Sequence, residues 1–191
     1  MKMKSKKPRF FVAISLPDDA KDRLVALKLP DLHGIRPLGR QELHLTLHFL
    51  GEVGPHVEAI QKALATVTPS GFAITIQDVG KFPPQGEPTV LWAGVLNSPA
   101  LVALHHSIAV ALTVAFGYQP EVRPYSPHIT LARLKTPVPP GVVERFLDDN
   151  KGFVVSPVIL DRFALYSSVS VNDVPQYRAE AEFRLSEPQL G

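Results

Sequence analysis

The sequence predicts an α+β fold built largely on antiparallel sheet, and three observations predict it. Residues 43–50 and 176–185 alternate apolar and polar side chains with the period of a half-buried strand. Other stretches keep helical spacing, the longest being 99–116, where Leu101, Leu104, Ile108 and Leu112 form one stripe. The order strand, helix, strand, helix, strand, strand, helix, strand, helix, strands suggests α+β with mostly antiparallel pairing.

Each element has a local reason. Residues 9–16 are a short apolar run, read as a buried strand. Pro17 with Asp18 and Asp19 then starts a helix over 20–29, where Leu24, Leu27 and Lys28 keep helical spacing. Residues 30–40 form a loop. In 43–50, Leu43, Leu45, Leu47 and Phe49 face one way and His44, Thr46 and His48 the other. Gly51 ends that strand, and Gly54-Pro55 opens a helix through about residue 67, with proline where the first turn tolerates it. Residues 72–79 are a strand, the Pro- and Gly-rich 81–87 a loop, and 89–96 a strand holding the single tryptophan. After the long helix come a strand at 128–134, a helix at 141–150, and strands at 153–160, 162–168 and 176–185. In the last, Tyr177, Ala179, Ala181, Phe183 and Leu185 oppose Arg178, Glu180, Glu182 and Arg184, which marks one wet face.

No low-complexity linker divides the 191 residues, so a single domain over 1–191 is expected. With 45% hydrophobic and 20% charged residues the chain is an ordinary globular one. A formal charge of +2 is too balanced for a protein that coats long nucleic acids, yet leaves room for a small phosphorylated ligand. The absence of cysteine removes disulfides, thiolate catalysis and cysteine-based metal sites. Lys2, Lys4, Lys6 and Lys7 precede the run from Phe10 to Ile14, but no small-residue cleavage pattern follows Leu16-Pro17-Asp18. This reads as a flexible basic tail over 1–8 ahead of a core strand, not as a signal peptide. No stretch approaches the ~20 apolar residues of a membrane span. The expectation is a soluble, cytoplasmic monomer without a membrane or obligate protein partner.

The informative feature is an internal echo: His44-Leu45-Thr46-Leu47 recurs 84 residues later as His128-Ile129-Thr130-Leu131. In each copy the His and Thr emerge on one face about 7 Å apart along the strand. Two such strands, one from each half of the chain, can bring two His-Thr pairs around one ligand. Imidazole titrates near neutrality, so one ring can take a proton while the other supplies one. A phosphodiester displacement needs both acts, because the attacking water loses a proton and the departing oxygen gains one. Threonine hydroxyls can donate to the non-bridging oxygens, which calls for no metal and no cofactor.

The chain resembles the two-histidine phosphoesterase superfamily, and within it the RNA 2′,3′-cyclic phosphodiesterases, historically called 2′-5′ RNA ligases. The resemblance is carried by the run from Arg9 to Pro17, the block from His44 to Val53, Gly80-Lys81-Phe82-Pro83 with Val90-Leu91-Trp92, and the block from Pro127 to Arg133. It implies a bilobal fold of two pseudo-symmetric lobes with the site in a central cleft. It also implies hydrolysis of 2′,3′-cyclic phosphate ends, on RNA or small nucleotides, to 2′-phosphates. His44 would protonate the leaving 3′ oxygen, His128 would deprotonate water, and Thr46 and Thr130 would bind the phosphate.

Arg133 is a further phosphate-binding candidate. Five residues past His128, strict alternation puts it on the opposite face, so it reaches the phosphate only if the strand ends or bulges there. His48 is expected on the His44 face about 13 Å away, a rim residue too distant to share a metal ion. Trp92 is expected in the core, and His105-His106 is assigned no chemistry. The turn 171–175 departs from the family's usual glycine turn, although Asn172 and Asp173 tolerate turn geometry. Two other activities fit the same scaffold: cleavage or joining of 2′-5′ linkages, and non-catalytic binding of RNA ends.

Overall fold

The computed structural model describes residues 7–135, 137–139, 141–171 and 174–186. The basic tail therefore lies outside the described residues except for Lys7 and Pro8, which are exposed, and the Asn172-Asp173 turn also lies outside them. The strands are β1 (Arg9–Ser15), β2 (Ile35–Pro37), β3 (His44–Gly51), β4 (Phe72–Phe82), β5 (Val90–Val95), β6 (His128–Leu134), β7 (Val154–Leu160), β8 (Arg162–Val171) and β9 (Val174–Arg184). The helices are α1 (Asp18–Val25), α2 (Val57–Leu64), α3 (Pro99–Phe116) and α4 (Val142–Asp149), with single 3-10 turns at Arg40–Glu42 and Gly54–His56.

The strands form one sheet in the order β7-β4-β5-β6-β3-β1-β8-β9, with β2 added beside β6, and every named pairing is antiparallel. The order divides into two four-stranded halves, β3-β1-β8-β9 and β6-β5-β4-β7. They meet at a single pairing, Leu45 with Ile129. These are the second residues of the two repeated motifs, so the junction between halves runs through both. That is the pseudo-symmetric, two-lobed α+β arrangement expected, with the cleft at the seam.

The halves share one hydrophobic cluster. Val12, Ile14, Leu45 and Leu165 from one half meet Ile76, Leu91, Ala93 and Ile129 from the other, all essentially inaccessible to water. Every helix contributes to it: Leu24 from α1, Ile60 and Leu64 from α2, Leu101 to Leu112 from α3, Val143 and Phe146 from α4. The helix α3 is well punctuated. Ser98 accepts from the Leu101 amide at 3.2 Å, Pro99 opens the first turn, and Gly117 closes it in the left-handed region at φ 73°. By length and composition α3 is apolar enough to cross a membrane. Here its Leu101, Leu104, Ile108 and Leu112 stripe is fully buried in the protein core.

Several boundaries differ from the sequence reading. The helix α1 stops at Val25, short of residue 29, and β2 occupies part of the expected loop, where three residues ending in proline offer no periodicity to read. The strand β4 continues to Phe82, because it pairs with β7 along its first part and β5 along its second. A bulge at Asp78, which has φ 59°, bends it between the two.

Candidate active site

Both motif strands begin at their histidine, and both carry a bulge at the fourth motif residue. Ala13 pairs with Thr46 and Val12 with His48, so Leu47 has no partner on β1. Trp92 pairs with Thr130 and Leu91 with Ala132, so Leu131 has none on β5. One extra residue turns every later side chain to the other face of the sheet. Up to the bulge, alternation holds: Leu45 and Ile129 are buried, while His44, Thr46, His128 and Thr130 stay half-exposed. After it, Phe49 and Arg133, again 84 residues apart, return to the histidine face and are exposed. This meets the condition that the sequence sets for Arg133.

The same bulge corrects the expectation for His48. It points into the core with 4% of its surface accessible and is not on the rim. There its Nε2–H donates to the His105 carbonyl at 2.8 Å, and its Nδ1 lies 3.3 Å from the Tyr118 hydroxyl. His105, to which the sequence lends no chemistry, stacks between His48 and Tyr125, with ring centroids at 4.1 and 4.0 Å. Two carbonyls around the bulge receive tyrosine donors. The Tyr125 hydroxyl donates to Thr46 at 2.9 Å and the Tyr118 hydroxyl to Phe49 at 3.4 Å. Tyr125 and Tyr118 come from the loop before β6, and no periodicity in that loop marks them in the sequence.

Antiparallel continuation from the Leu45–Ile129 pair sets His44 across from Thr130 and His128 across from Thr46. Each ring is held alike. The Nδ1–H of His44 donates to the Glu42 carbonyl at 2.6 Å, and that of His128 to the Ser126 carbonyl at 2.8 Å. Both bonds span two residues, so the second copy repeats the first. With Nδ1 engaged in this way, Nε2 is the nitrogen left for a ligand, in the unprotonated form when the ring is neutral. Glu42 is itself fixed by Arg36 at 3.0 Å and by the Gly39 amide at 2.8 Å.

The two rings differ in their surroundings. His44 is enclosed by Phe11 and Tyr177, with centroids 5.1 and 5.2 Å away. Burial, helped by the Arg133 charge and opposed by the bond to Glu42, lowers its pKa to about 4. His128 meets Phe82 edge-on at 4.9 Å and is more open. Trp92 lies on this face and not in the core, across Gly80 and 6.4 Å from His128. A Cβ at Gly80 would collide with the indole, which is why glycine stands there.

Two hollows flank the motifs. One, of about 670 Å³, is lined by His128, Phe82, Tyr125 and Glu121; the other, of about 440 Å³, by His44, Arg133, Arg9 and Tyr177. Thr46 and Phe49 belong to both walls, so they form one cleft with the motif pair at its middle. A larger hollow of about 770 Å³ between α2 and α3 is lined mainly by small and apolar residues with His106 alone titratable. The chemistry points to the cleft. Among the described residues no three His, Asp or Glu side chains are grouped to hold a metal ion.

The structure thus brings together His44, His128, Thr46, Thr130 and Arg133 on one face. Comparison with known proteins identifies the family. An RNA 2′,3′-cyclic phosphodiesterase of Archaeoglobus fulgidus is 31% identical over 149 residues, covering 75% of this chain and 84% of that one. One of Escherichia coli is 34% identical over 134 residues, or 68% and 73%. The crystal structure of E. coli LigT with 3′-AMP superposes with a TM-score of 0.73 at 26% identity, covering 95% of this chain and 100% of that one. A Thermus thermophilus structure gives 0.75 at 27%, covering 94% and 98%. The model of the 2′-5′ RNA ligase superfamily matches residues 16–172, and the chain belongs to that superfamily.

Proposed function

We propose that this chain hydrolyses 2′,3′-cyclic phosphate ends of RNA to 2′-phosphates, by acid–base catalysis shared between His44 and His128 and without a metal ion. The observation that carries the reading is the pair of matched imidazoles, each tied through Nδ1 to a backbone carbonyl and each facing the other motif's threonine across the seam. The names borne by the curated relatives support the reaction class.

In this reading Nε2 of His128 takes a proton from water as its oxygen attacks phosphorus. The P–O3′ bond breaks on the far side, and O3′ takes the proton from Nε2 of His44. The 2′-phosphate and a free 3′-hydroxyl leave, and the two rings exchange their proton balance with solvent. Thr46, Thr130 and Arg133 hold the non-bridging oxygens, whose charge a desolvated cleft makes costly to leave unpaired. The direction of transfer follows the family resemblance. Burial keeps His44 neutral in the empty site, and the substrate's negative charge raises its pKa so that it takes up a proton from solvent.

The test is product analysis on a synthetic RNA ending in a 2′,3′-cyclic phosphate, in excess EDTA. A 2′-phosphate product supports the reading. A 3′-phosphate, or complete loss of turnover in EDTA, overturns the chemistry proposed. Tight binding without turnover would make the chain an RNA-end-binding module. A second reading, transfer to a 5′-hydroxyl with formation of a 2′-5′ linkage, is favoured by the 670 Å³ hollow on the His128 side, far larger than a water needs.

A further inference from the structure

The smaller hollow continues past His44 to groups that the reaction at phosphorus does not use. Along β1, Arg9, Phe11 and Ala13 share the cleft face, while Phe10, Val12 and Ile14 enter the core. Arg9 is aligned with Ser168 of β8, and Ser168 with Tyr177 of β9, so the three side chains form one row across the sheet. Tyr177 bridges that row to the motif, because its ring meets both Phe11 and His44 edge-on, at 5.3 and 5.2 Å.

The chemistry of this hollow is one-sided. Among the described residues it is lined by two arginines, Arg9 and Arg133, by the hydroxyls of Thr46, Ser168, Ser170 and Tyr177, and by no carboxylate. Neither arginine forms an ion pair with any described carboxylate, although Arg36, Arg40, Arg123, Arg162 and Arg178 all do. Uncompensated guanidinium groups beside hydroxyl donors are what bind phosphate. The hollow across Thr46 carries Glu121 beside Arg123 and lacks this bias. Arg133 belongs to the reacting phosphate. Arg9 lies two rows of the strand beyond Ala13, the partner of Thr46, about 13 Å along β1. That is too far to serve the same phosphorus.

We propose that Arg9, with Ser168 and Tyr177 beside it, is a second anion subsite that takes the internucleotide phosphate upstream of a cyclic end. The inference rests on the proposed function, because the ribose carrying the leaving O3′ lies on the His44 side, and the strand leaves the site from there. It makes an RNA terminus a better substrate than a free cyclic nucleotide.

The experiment compares three substrates: a nucleoside 2′,3′-cyclic phosphate, a dinucleotide ending in the cyclic phosphate, and that dinucleotide with an uncharged methylphosphonate linkage. Wild type should prefer the anionic dinucleotide. Arg9→Ala should lose roughly tenfold more in kcat/KM on it than on the other two, the scale of one charge-assisted hydrogen bond. Arg9→Lys should recover part of that difference. The wild-type kcat/KM should fall more steeply with salt on the anionic dinucleotide than on the methylphosphonate, and Arg9→Ala should abolish the excess. Equal losses on all three substrates, or none on any, overturn the subsite. Binding of the same dinucleotides ending in a 2′-phosphate separates this from the reading beneath it. Arg9-dependent discrimination without turnover would keep the subsite and reject hydrolysis; turnover without discrimination would do the reverse.

Discussion

The charge state of His44 is the most exposed prediction of this site. The ring is enclosed by Phe11 and Tyr177 and faces Arg133, and its pKa falls from 6.5 to about 4. At about 1.4 kcal/mol per unit, the empty site disfavours the imidazolium by roughly 3 kcal/mol. A phosphate within hydrogen-bonding reach supplies the opposite effect. One negative charge about 4 Å away, at an effective dielectric constant of about 20, is worth about 4 kcal/mol, or about 3 pKa units. Substrate binding should therefore carry His44 from about 4 to about 7, arming the acid only when there is something to protonate. The assay is a carbon–proton NMR titration of the ring, assigned with His44→Asn, for the free protein and for its complex with a nucleoside 2′-phosphate. In parallel, kcat should fall as pH rises through the bound-state value near 7, because the acid is then deprotonated. A free-protein titration already near 6.5, or one that does not move on complex formation, would refute the reasoning.

Three further outcomes follow from the packing. Tyr125→Phe removes the donor to the Thr46 carbonyl, and should cost about 1 kcal/mol in denaturant unfolding while lowering kcat more than it alters KM. Gly80→Ala drives a methyl into the Trp92 ring, and should destabilise by about 1–3 kcal/mol, read as a shifted unfolding midpoint with tryptophan fluorescence as the probe. His44 and His105, both held near 4 mainly by burial, stay neutral in the fold over a range where the unfolded chain binds protons. Stability should therefore be flat above about pH 6.5 and fall steadily from there to about pH 4, the sign being that of ν_U exceeding ν_N.

Much of this was legible in the residues, and the exceptions have a common cause. The 84-residue echo locates both motifs, and alternation assigns His44, Thr46, His128 and Thr130 to one face correctly. It fails two residues past each motif threonine, because a bulge at Leu47 and Leu131 leaves no compositional trace: leucine suits either pattern. Hence His48 reads as a rim residue when it lies in the core, and Arg133 reads as conditional when it lies on the site. The braces Tyr118, Tyr125 and His105 depend on pairings across 57 to 79 residues, which local periodicity does not encode. Trp92 reads as a core residue but lies on the cleft face for a related reason. The glycine that makes room for it, Gly80, is on a neighbouring strand.

The division of labour between the two rings can be read directly with a substrate in which sulfur replaces the bridging 3′ oxygen. A thiolate departs without needing a proton, whereas water still needs a base. On the normal oxygen substrate His44→Ala and His128→Ala should each lose about 10²–10⁴-fold in kcat with unchanged melting behaviour. On the sulfur substrate His44→Ala should recover most of its loss and His128→Ala almost none. Rescue of His128→Ala instead, or of neither variant, would contradict the account.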